Sequence, residues 1–253
     1  MKERLDAYLA AHGLCRSRTL AQALVLEGKV RVGGQTASKP SQTVPEGAEV
    51  EIDEGPRFVS RGGDKLEGAF AKFPGLSARG KTCLDVGSST GGFTDCLLQH
   101  GAAKVMAVDV GTNQLAWKLR SDPRVWCREN FNARYMTRAD LPETPSLAVT
   151  DVSFISLKLI LPPICGTLAP GGEIVALIKP QFEAGRGMAP GGLVRDPAIR
   201  EAARDGILDF ARCELGLELL GCGLSPVPGR EAGNLEYLAY WRCAGNKEGT
   251  ENP

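Results

Sequence analysis

The chain has 253 residues, 43% of them hydrophobic, and its 30 basic and 30 acidic side chains cancel to zero formal charge. That length supports one large or two smaller domains with real cores, and the balance excludes a global basic field, so a nucleic-acid contact has to be a local patch. The most apolar stretch, Leu157 to Leu168, is interrupted by Pro162 and Pro163 and is too short to span a bilayer; with no charged-then-apolar leader, a soluble, cytoplasmic protein with no membrane partner is expected.

The eight cysteines, at 15, 83, 96, 127, 165, 213, 222 and 243, include no C-x-x-C pair. Reduced, buried thiols are therefore expected, with no disulfide framework and no metal site.

Met1 to Asp53 reads as a small α+β module. Leu5 and Leu9, flanked by Tyr8 and His12, give a helical stripe stopped by Gly13, and Ser17 can cap a second helix from Arg18 to Glu27, ended by Gly28. Val30 and Val32, the Gly33-Gly34 turn, and alternating Val50 and Ile52 suggest a small sheet. Up to Lys39 the module is locally basic, with Lys2, Arg4, Arg16, Arg18, Lys29, Arg31 and Lys39 against Glu3, Asp6 and Glu27. The pattern RLDAYLAAHGLCRSRTLAQALVLEGKVRVGGQTASKP resembles the S4 RNA-binding domain, over residues 1–55. The resemblance implies that Arg4, Arg16, Arg18, Lys29 and Arg31 meet phosphates of folded RNA, contacts that position a substrate without reading much sequence.

Glu54-Gly55-Pro56 is a candidate hinge, and residues 56–64 read as a basic linker and entry segment to the second domain, including Arg61. Leu66, Phe70 and Phe73 have the spacing of a buried helix face, which places Lys65 on a different face and free for chemistry.

Lys81 to Gly111 is the stretch that specifies a cofactor. Thr82 to Val86 reads as a buried strand, Phe93 to Gln99 as a helix, and Val105 to Val108 as the next strand, closed by Asp109. Gly87, Gly91 and Gly92 lie between strand and helix, where a ligand can approach the main chain. An acid such as Asp109 at the end of the second strand can accept hydrogen bonds from ribose hydroxyls. The dinucleotide pattern G-x-G-x-x-G is absent because Ser89 replaces its second glycine. What remains, D-x-G-x-S-x-G-G beginning at Asp85, resembles motif I of the Rossmann-like S-adenosylmethionine (SAM) methyltransferases. The same residues match the G-x-S-x-G nucleophile elbow, but a triad needs a later histidine; only His12 and His100 exist, and His100 ends the elbow's own helix. The hydrolase reading fails.

Beyond Asp109, alternation predicts a doubly wound α/β sheet with helices on both faces. Thr112 to Arg120 reads as a helix, Val125 to Arg128 as a strand leading into Glu129 and Asn130, Leu147 to Val149 as a strand leading to Asp151, and Ser156 to Leu168 as a helix loosened by its prolines. Strand Ile174 to Ile178 ends at Lys179, a costly place for a charge unless it is paired. Gln181 to Asp196 is glycine-rich and reads as a mobile loop and candidate lid. Pro197 to Leu215 is an amphipathic helix, Leu217 to Leu224 and Leu235 to Trp241 a closing pair of strands, and residues 246–253 a frayed tail.

With Lys65, Asp151, Lys179 and Glu236 in that order, residues 65–245 look like the FtsJ (RrmJ)-type 2′-O-methyltransferases, and the S4-like module narrows the resemblance to the TlyA family of haemolysin-like rRNA methyltransferases. SRGGDKL, DVGSSTGGFTDCLLQ, AVDVGTNQL, DVSFISL and LIKPQFE carry it. The resemblance implies Lys65, Asp151, Lys179 and Glu236 as catalytic residues, and SAM bound by Asp85, Gly87, Ser89, Gly91, Gly92, Phe93, Asp109, Asn130 and Asp151. It implies a cytidine 2′-hydroxyl in ribosomal RNA as acceptor, within ribosomal subunits, in 16S and in some members 23S rRNA, with Arg61 among the RNA contacts. The rivals are a base-amino methyltransferase, whose N-P-P-Y-like loop is replaced here by Asp151-Val152-Ser153-Phe154, and a membrane-active haemolysin, for which no stretch has the length or cationic amphipathic face.

Overall fold

The structure, a computed structural model, describes residues 3–53, 55–185, 187–229 and 233–244. Lys2, hinge residue Glu54 and the expected tail at 246–253 lie outside them. The chain divides into two compact units, Met1–Arg57 and Phe58–Pro253.

The first unit opens with β1 (Glu3–Arg4), α1 (Leu5–Ala11) and α2 (Arg18–Leu26) and continues through β2 (Val30–Val32), β3 (Gln35–Thr36), β4 (Thr43–Val44) and β5 (Val50–Ile52). Ser17 caps α2 by accepting a hydrogen bond from the Leu20 amide at 3.2 Å, the partner an N-cap serine supplies to an orphan helix donor. Leu5, Leu9, Ala21, Val25, Val30 and Val44 make its core. One acid is buried among them. Asp6 has no solvent exposure and accepts from Gln22 at 2.8 Å, Arg4 at 3.0 Å and Arg18 at 3.1 Å. The Arg4 hydrogen bond, helped by Gln22 and Arg18, holds its carboxyl well below the usual range despite burial. Arg18, one of the arginines expected to face RNA, thus also ties α2 to α1 together with Gln22, while Arg4 pairs with Asp6 from two residues upstream.

The second unit is a seven-stranded sheet in the order β11-β12-β10-β9-β6-β7-β8. Its elements are α3 (Arg61–Lys72), β6 (Thr82–Val86), α4 (Gly92–Gln99), β7 (Lys104–Val108), α5 (Trp117–Arg120), β8 (Val125–Arg128), β9 (Leu147–Thr150), α6 (Leu161–Thr167), β10 (Glu173–Ile178), α7 (Pro180–Glu183), α8 (Pro197–Cys213), β11 (Glu218–Leu224) and β12 (Tyr237–Arg242). Every residue of β9 and β10 is buried, as expected where helices cover both faces. Strand alternation sends Cys83, Val105, Val149 and Leu177 against α3, α4 and α5, and Leu84, Met106, Ala148 and Ile174 against α6 and α8. The order reverses between β6 and β9, and such a switch point opens a crevice at the carboxyl ends of the strands.

The sequence reading needs correction in several places. Residues 61–64, assigned to a linker, form the first turn of α3, and Phe58 is a core residue, 3% exposed. Of the expected helix Thr112–Arg120 only Trp117–Arg120 is helical. Asn113 turns left-handed at φ 52°, and the amides of Asn113, Gln114 and Leu115 donate to Glu129 instead. The helix expected from Ser156 is a 3-10 turn, Leu157–Leu159, followed by α6 with its prolines in the first turn, where a missing N–H costs nothing. The presumed lid starts as a helical turn, α7, and its far end is anchored: Asn234 accepts from the Val194 amide at 2.9 Å and donates to the Gly192 carbonyl at 2.6 Å. Arg186 of this segment lies outside the described residues. Of the eight cysteines only Cys83 and Cys96 are buried, and Cys213 is exposed.

Candidate active site

Lys179 follows β10 and Glu236 precedes β12. Because these strands are antiparallel with Ile178 opposite Tyr237, the two residues emerge together at the crevice edge. Asp151 leaves the neighbouring parallel strand β9 at the same end, and α3 brings in Lys65. The four side chains form one network. Lys179 Nζ is 2.6 Å from Asp151 Oδ1 and donates to Ser153 Oγ at 2.8 Å, while Lys65 Nζ is 2.7 Å from Glu236 Oε2 and 3.8 Å from Asp151 Oδ2. Lys65, expected on a face away from Leu66, Phe70 and Phe73, is itself buried at 7% exposure and paired, as Lys179 is. Two ammonium groups and two carboxylates balance in charge, which is what permits their burial.

The network forms one wall of a cavity of about 790 Å³. Gly87, Ser88, Ser89 and Phe93 also line it, with Ser60 and Arg61 at the start of α3. Gly87 leaves β6 at φ 80°, a conformation open to glycine at no steric cost. The turn spends its own donors. The Gly87 and Ser88 amides bond the Val108 carbonyl, Gly91 bonds Ser88, and Ser89 donates to Asp109 Oδ2 at 2.8 Å. These four amides are thus committed internally, unlike a pyrophosphate cradle, whereas a sulfonium cofactor with amino, carboxyl and ribose groups asks for hydroxyl and carboxylate partners. Ser88 Oγ, buried, has no hydrogen-bond partner within the protein and lines the cavity, so the residues present fit such a ligand.

The other residues singled out from sequence divide. Asp85 sits behind the turn, fully buried, accepting from Thr94 at 2.7 Å, and burial pushes its carboxyl up to about 7. Gly91 is not part of the cavity lining, and at both Gly91 and Gly92 the space of the missing Cβ is taken by protein. A Cβ on Gly91 would meet Leu119 Cδ1 at 2.3 Å, and one on Gly92 would meet Ser60 Oγ at 2.3 Å and the Gly63 amide at 2.8 Å, so these positions let α5 and α3 approach. Gly92 still contributes to the cavity wall. Asp109 borders the turn, and its second oxygen accepts from Gly111 at 2.7 Å. Asn130 is exposed at φ 55° and accepts from Thr112 at 2.6 Å; it is outside the cavity.

Sequence reasoning missed three groups. Phe154 lines the cavity at φ 64° and 80% exposure, its ring 5.2 Å from Phe182. Glu183 of α7 accepts from Ser156 at 2.6 Å and from the Leu157 amide at 2.8 Å, latching α7 to the loop after Asp151, and burial raises its carboxyl. Glu129 gathers the three amides described above and Arg120 at 2.7 Å, which together hold it down at about 2. An aromatic in the polar turn Asp151-Val152-Ser153-Phe154 was the one signal available in the sequence.

Comparisons agree with this architecture. The FtsJ-like methyltransferase family model matches residues 58–242 and the S4 domain model residues 3–50. The 16S/23S rRNA (cytidine-2'-O)-methyltransferase TlyA of Mycobacterium tuberculosis is 45% identical over 95% of this chain and 90% of its own. A solved Streptococcus thermophilus protein given the name hemolysin is 44% identical, covering 96% of this chain and 89% of its own with a TM-score of 0.72. The N-methyltransferase NodS of Bradyrhizobium japonicum, solved with S-adenosyl-L-homocysteine, shares the fold at 16% identity and a TM-score of 0.50, over 76% of this chain and 89% of its own. Among the described residues no helix is long and apolar enough to cross a membrane.

Proposed function

Because the chain belongs to the FtsJ-like methyltransferase family and carries an S4 domain in front of it, we propose that it transfers a methyl group from SAM to the ribose 2′-oxygen of a cytidine in ribosomal RNA. The observation that carries this reading is the Lys65–Asp151–Lys179–Glu236 network on the wall of the same cavity as the Gly87–Ser89 turn. On this reading residues 1–55 dock the RNA and residues 65–245 perform the transfer.

When bound, SAM supplies an electrophilic methyl on a sulfonium that leaves as a neutral thioether. Ser88 and Asp109 offer the cofactor a hydroxyl and a carboxylate beside the turn. The acceptor hydroxyl is a poor nucleophile until its proton is drawn away. Lys179, fixed between Asp151 and Ser153, presents the ammonium that orients the 2′-oxygen and steadies negative charge as it develops. The reaction releases one proton, and on this reading the Asp151 carboxylate, partner of Lys179 in the network, takes it and passes it to water. Glu236 holds Lys65, and Lys65 in turn approaches the far oxygen of Asp151, so the outer pair orients the inner one.

The test is transfer of tritiated methyl from SAM to separated ribosomal subunits, followed by alkaline cleavage of the labelled RNA. A 2′-O-methyl removes the internal nucleophile of alkaline cleavage, so a one-nucleotide gap in the ladder is expected. An unbroken ladder at the labelled position would replace this reading with base methylation, and label absent from both subunits would remove ribosomal RNA as the substrate.

A further inference from the structure

Away from the cavity wall, α3 and α4 bring together three side chains of a different chemistry. Glu67 projects from α3, and Cys96 and His100 are one helical turn apart at the end of α4. Their donor atoms all lie within 4.8 Å of one another. His100 Nε2 is 2.6 Å from Glu67 Oε2, and the Cys96 thiol donates to the same oxygen at 3.8 Å. The Phe70 ring stacks on the imidazole at 3.8 Å and 10°, which fixes its plane.

We propose that Glu67, Cys96 and His100 form a zinc(II) site that staples α3 to α4. A thiolate, an imidazole and a carboxylate are the donors zinc takes, at about 2.3, 2.0 and 2.0–2.2 Å, and tetrahedral angles then put the donors roughly 3.3–3.8 Å from one another. The Cys96–Glu67 separation already has that value. The Glu67–His100 contact has to open by under ~1 Å, because the ion takes the place of the proton the two groups share. Binding displaces the thiol proton and leaves His100 neutral with its hydrogen on Nδ1.

Cys96 is buried, whereas the Glu67 and His100 side chains are 33% and 28% exposed. The site is closed on its protein side and open to water for a fourth ligand. No C-x-x-C spacing announces it, because the donors come from two helices and the fold assembles them. This site is independent of the methyl-transfer reading and is tested without it.

The experiment uses the full-length protein stripped of metal with a chelator and titrated with cobalt(II), a spectroscopic stand-in for zinc. One equivalent is expected to bind with a sulfur-to-cobalt charge-transfer band. The band should vanish in Cys96→Ser and persist in Cys213→Ser, and Glu67→Gln or His100→Gln should weaken binding at least ~10-fold. Zinc should raise the unfolding temperature of the wild type and not that of His100→Gln. No stoichiometric binding, a band surviving in Cys96→Ser, or equal thermal shifts in wild type and His100→Gln would each overturn the site.

Discussion

Lys65 Nζ lies 2.7 Å from Glu236 Oε2 across 171 residues of sequence, and the two side chains are only 8% and 2% exposed. A charge so buried is stable only with its partner. Removing one member of such a pair costs roughly 3–5 kcal/mol, while replacing both with apolar residues of similar size is close to neutral. Glu236→Leu is therefore expected to destabilise the protein strongly in urea unfolding, and Lys65→Met with Glu236→Leu to recover most of that loss without recovering methyl transfer. A double variant no more stable than the single one would show that the two residues are not energetically coupled.

Lys179→Ala is expected to keep SAM affinity and lose at least ~100-fold in transfer rate, the usual scale for removing one preorganised donor to a developing negative charge. Single-turnover kinetics with prebound RNA reads the chemical step directly. A rate within a few-fold of wild type would remove Lys179 from the centre of the reaction.

The Lys179–Glu236 juxtaposition explains how far the sequence could be read. Buried strands announce themselves by apolar runs, so β6 to β10 were legible nearly residue by residue, and polar residues at their carboxyl ends follow from the fold class. Contacts between distant segments were not. Nothing in the string around Lys65 says that Glu236 will cover it. Thr112–Arg120 has acceptable helix formers, but three of its amides find a better acceptor in Glu129, a competition invisible to local propensity. Gly91 and Gly92 looked like ligand-facing glycines because spacing alone does not tell which neighbour occupies the missing Cβ; here it is Leu119 and Ser60.

Asp109 takes backbone amides from Ser89 and Gly111 on its two oxygens and has further lone pairs for ribose hydroxyls. Asp109→Ala should weaken SAM binding by about 1.5–3 kcal/mol, the worth of hydrogen bonds to a charged group, and Asp109→Asn by less, since one acceptor oxygen remains. Titration calorimetry giving wild-type affinity for the alanine variant would rule out this role.

Glu129 supplies a pH-dependent prediction. Its carboxyl is held at about 2 by Arg120 and the amides of Leu115, Asn113 and Gln114, against about 4.3 in an unfolded chain. A lowered folded value contributes stability that is complete above the unfolded pKa and is lost as pH falls from there towards the folded one. The stability advantage of wild type over Glu129→Gln should hold from neutrality to about pH 5 and shrink below about pH 4. A difference in unfolding midpoint that stays constant from pH 6 to pH 3 would mean that the ionised carboxylate is not what anchors the loop.

The arginines of the first unit separate docking from folding. Arg18 reaches Asp6 at 3.1 Å across the α1–α2 junction, whereas Arg16 and Arg31 are exposed and have no place in the Asp6 cluster. If the unit docks RNA through phosphates, each lost contact should make the slope of log affinity against log salt shallower by about 0.7–0.9, without favouring any sequence. Arg16→Ala and Arg31→Ala are expected to do this at unchanged unfolding temperature. Arg18→Ala should lower both RNA affinity and the unfolding temperature, because Asp6 then remains buried with one cation fewer. Filter binding of ribosomal RNA at several salt concentrations, with thermal unfolding of the same variants, distinguishes the cases. An unchanged salt slope in Arg16→Ala/Arg31→Ala would move the docking surface off this face, and an unchanged unfolding temperature in Arg18→Ala would leave Arg4 and Gln22 sufficient to hold Asp6.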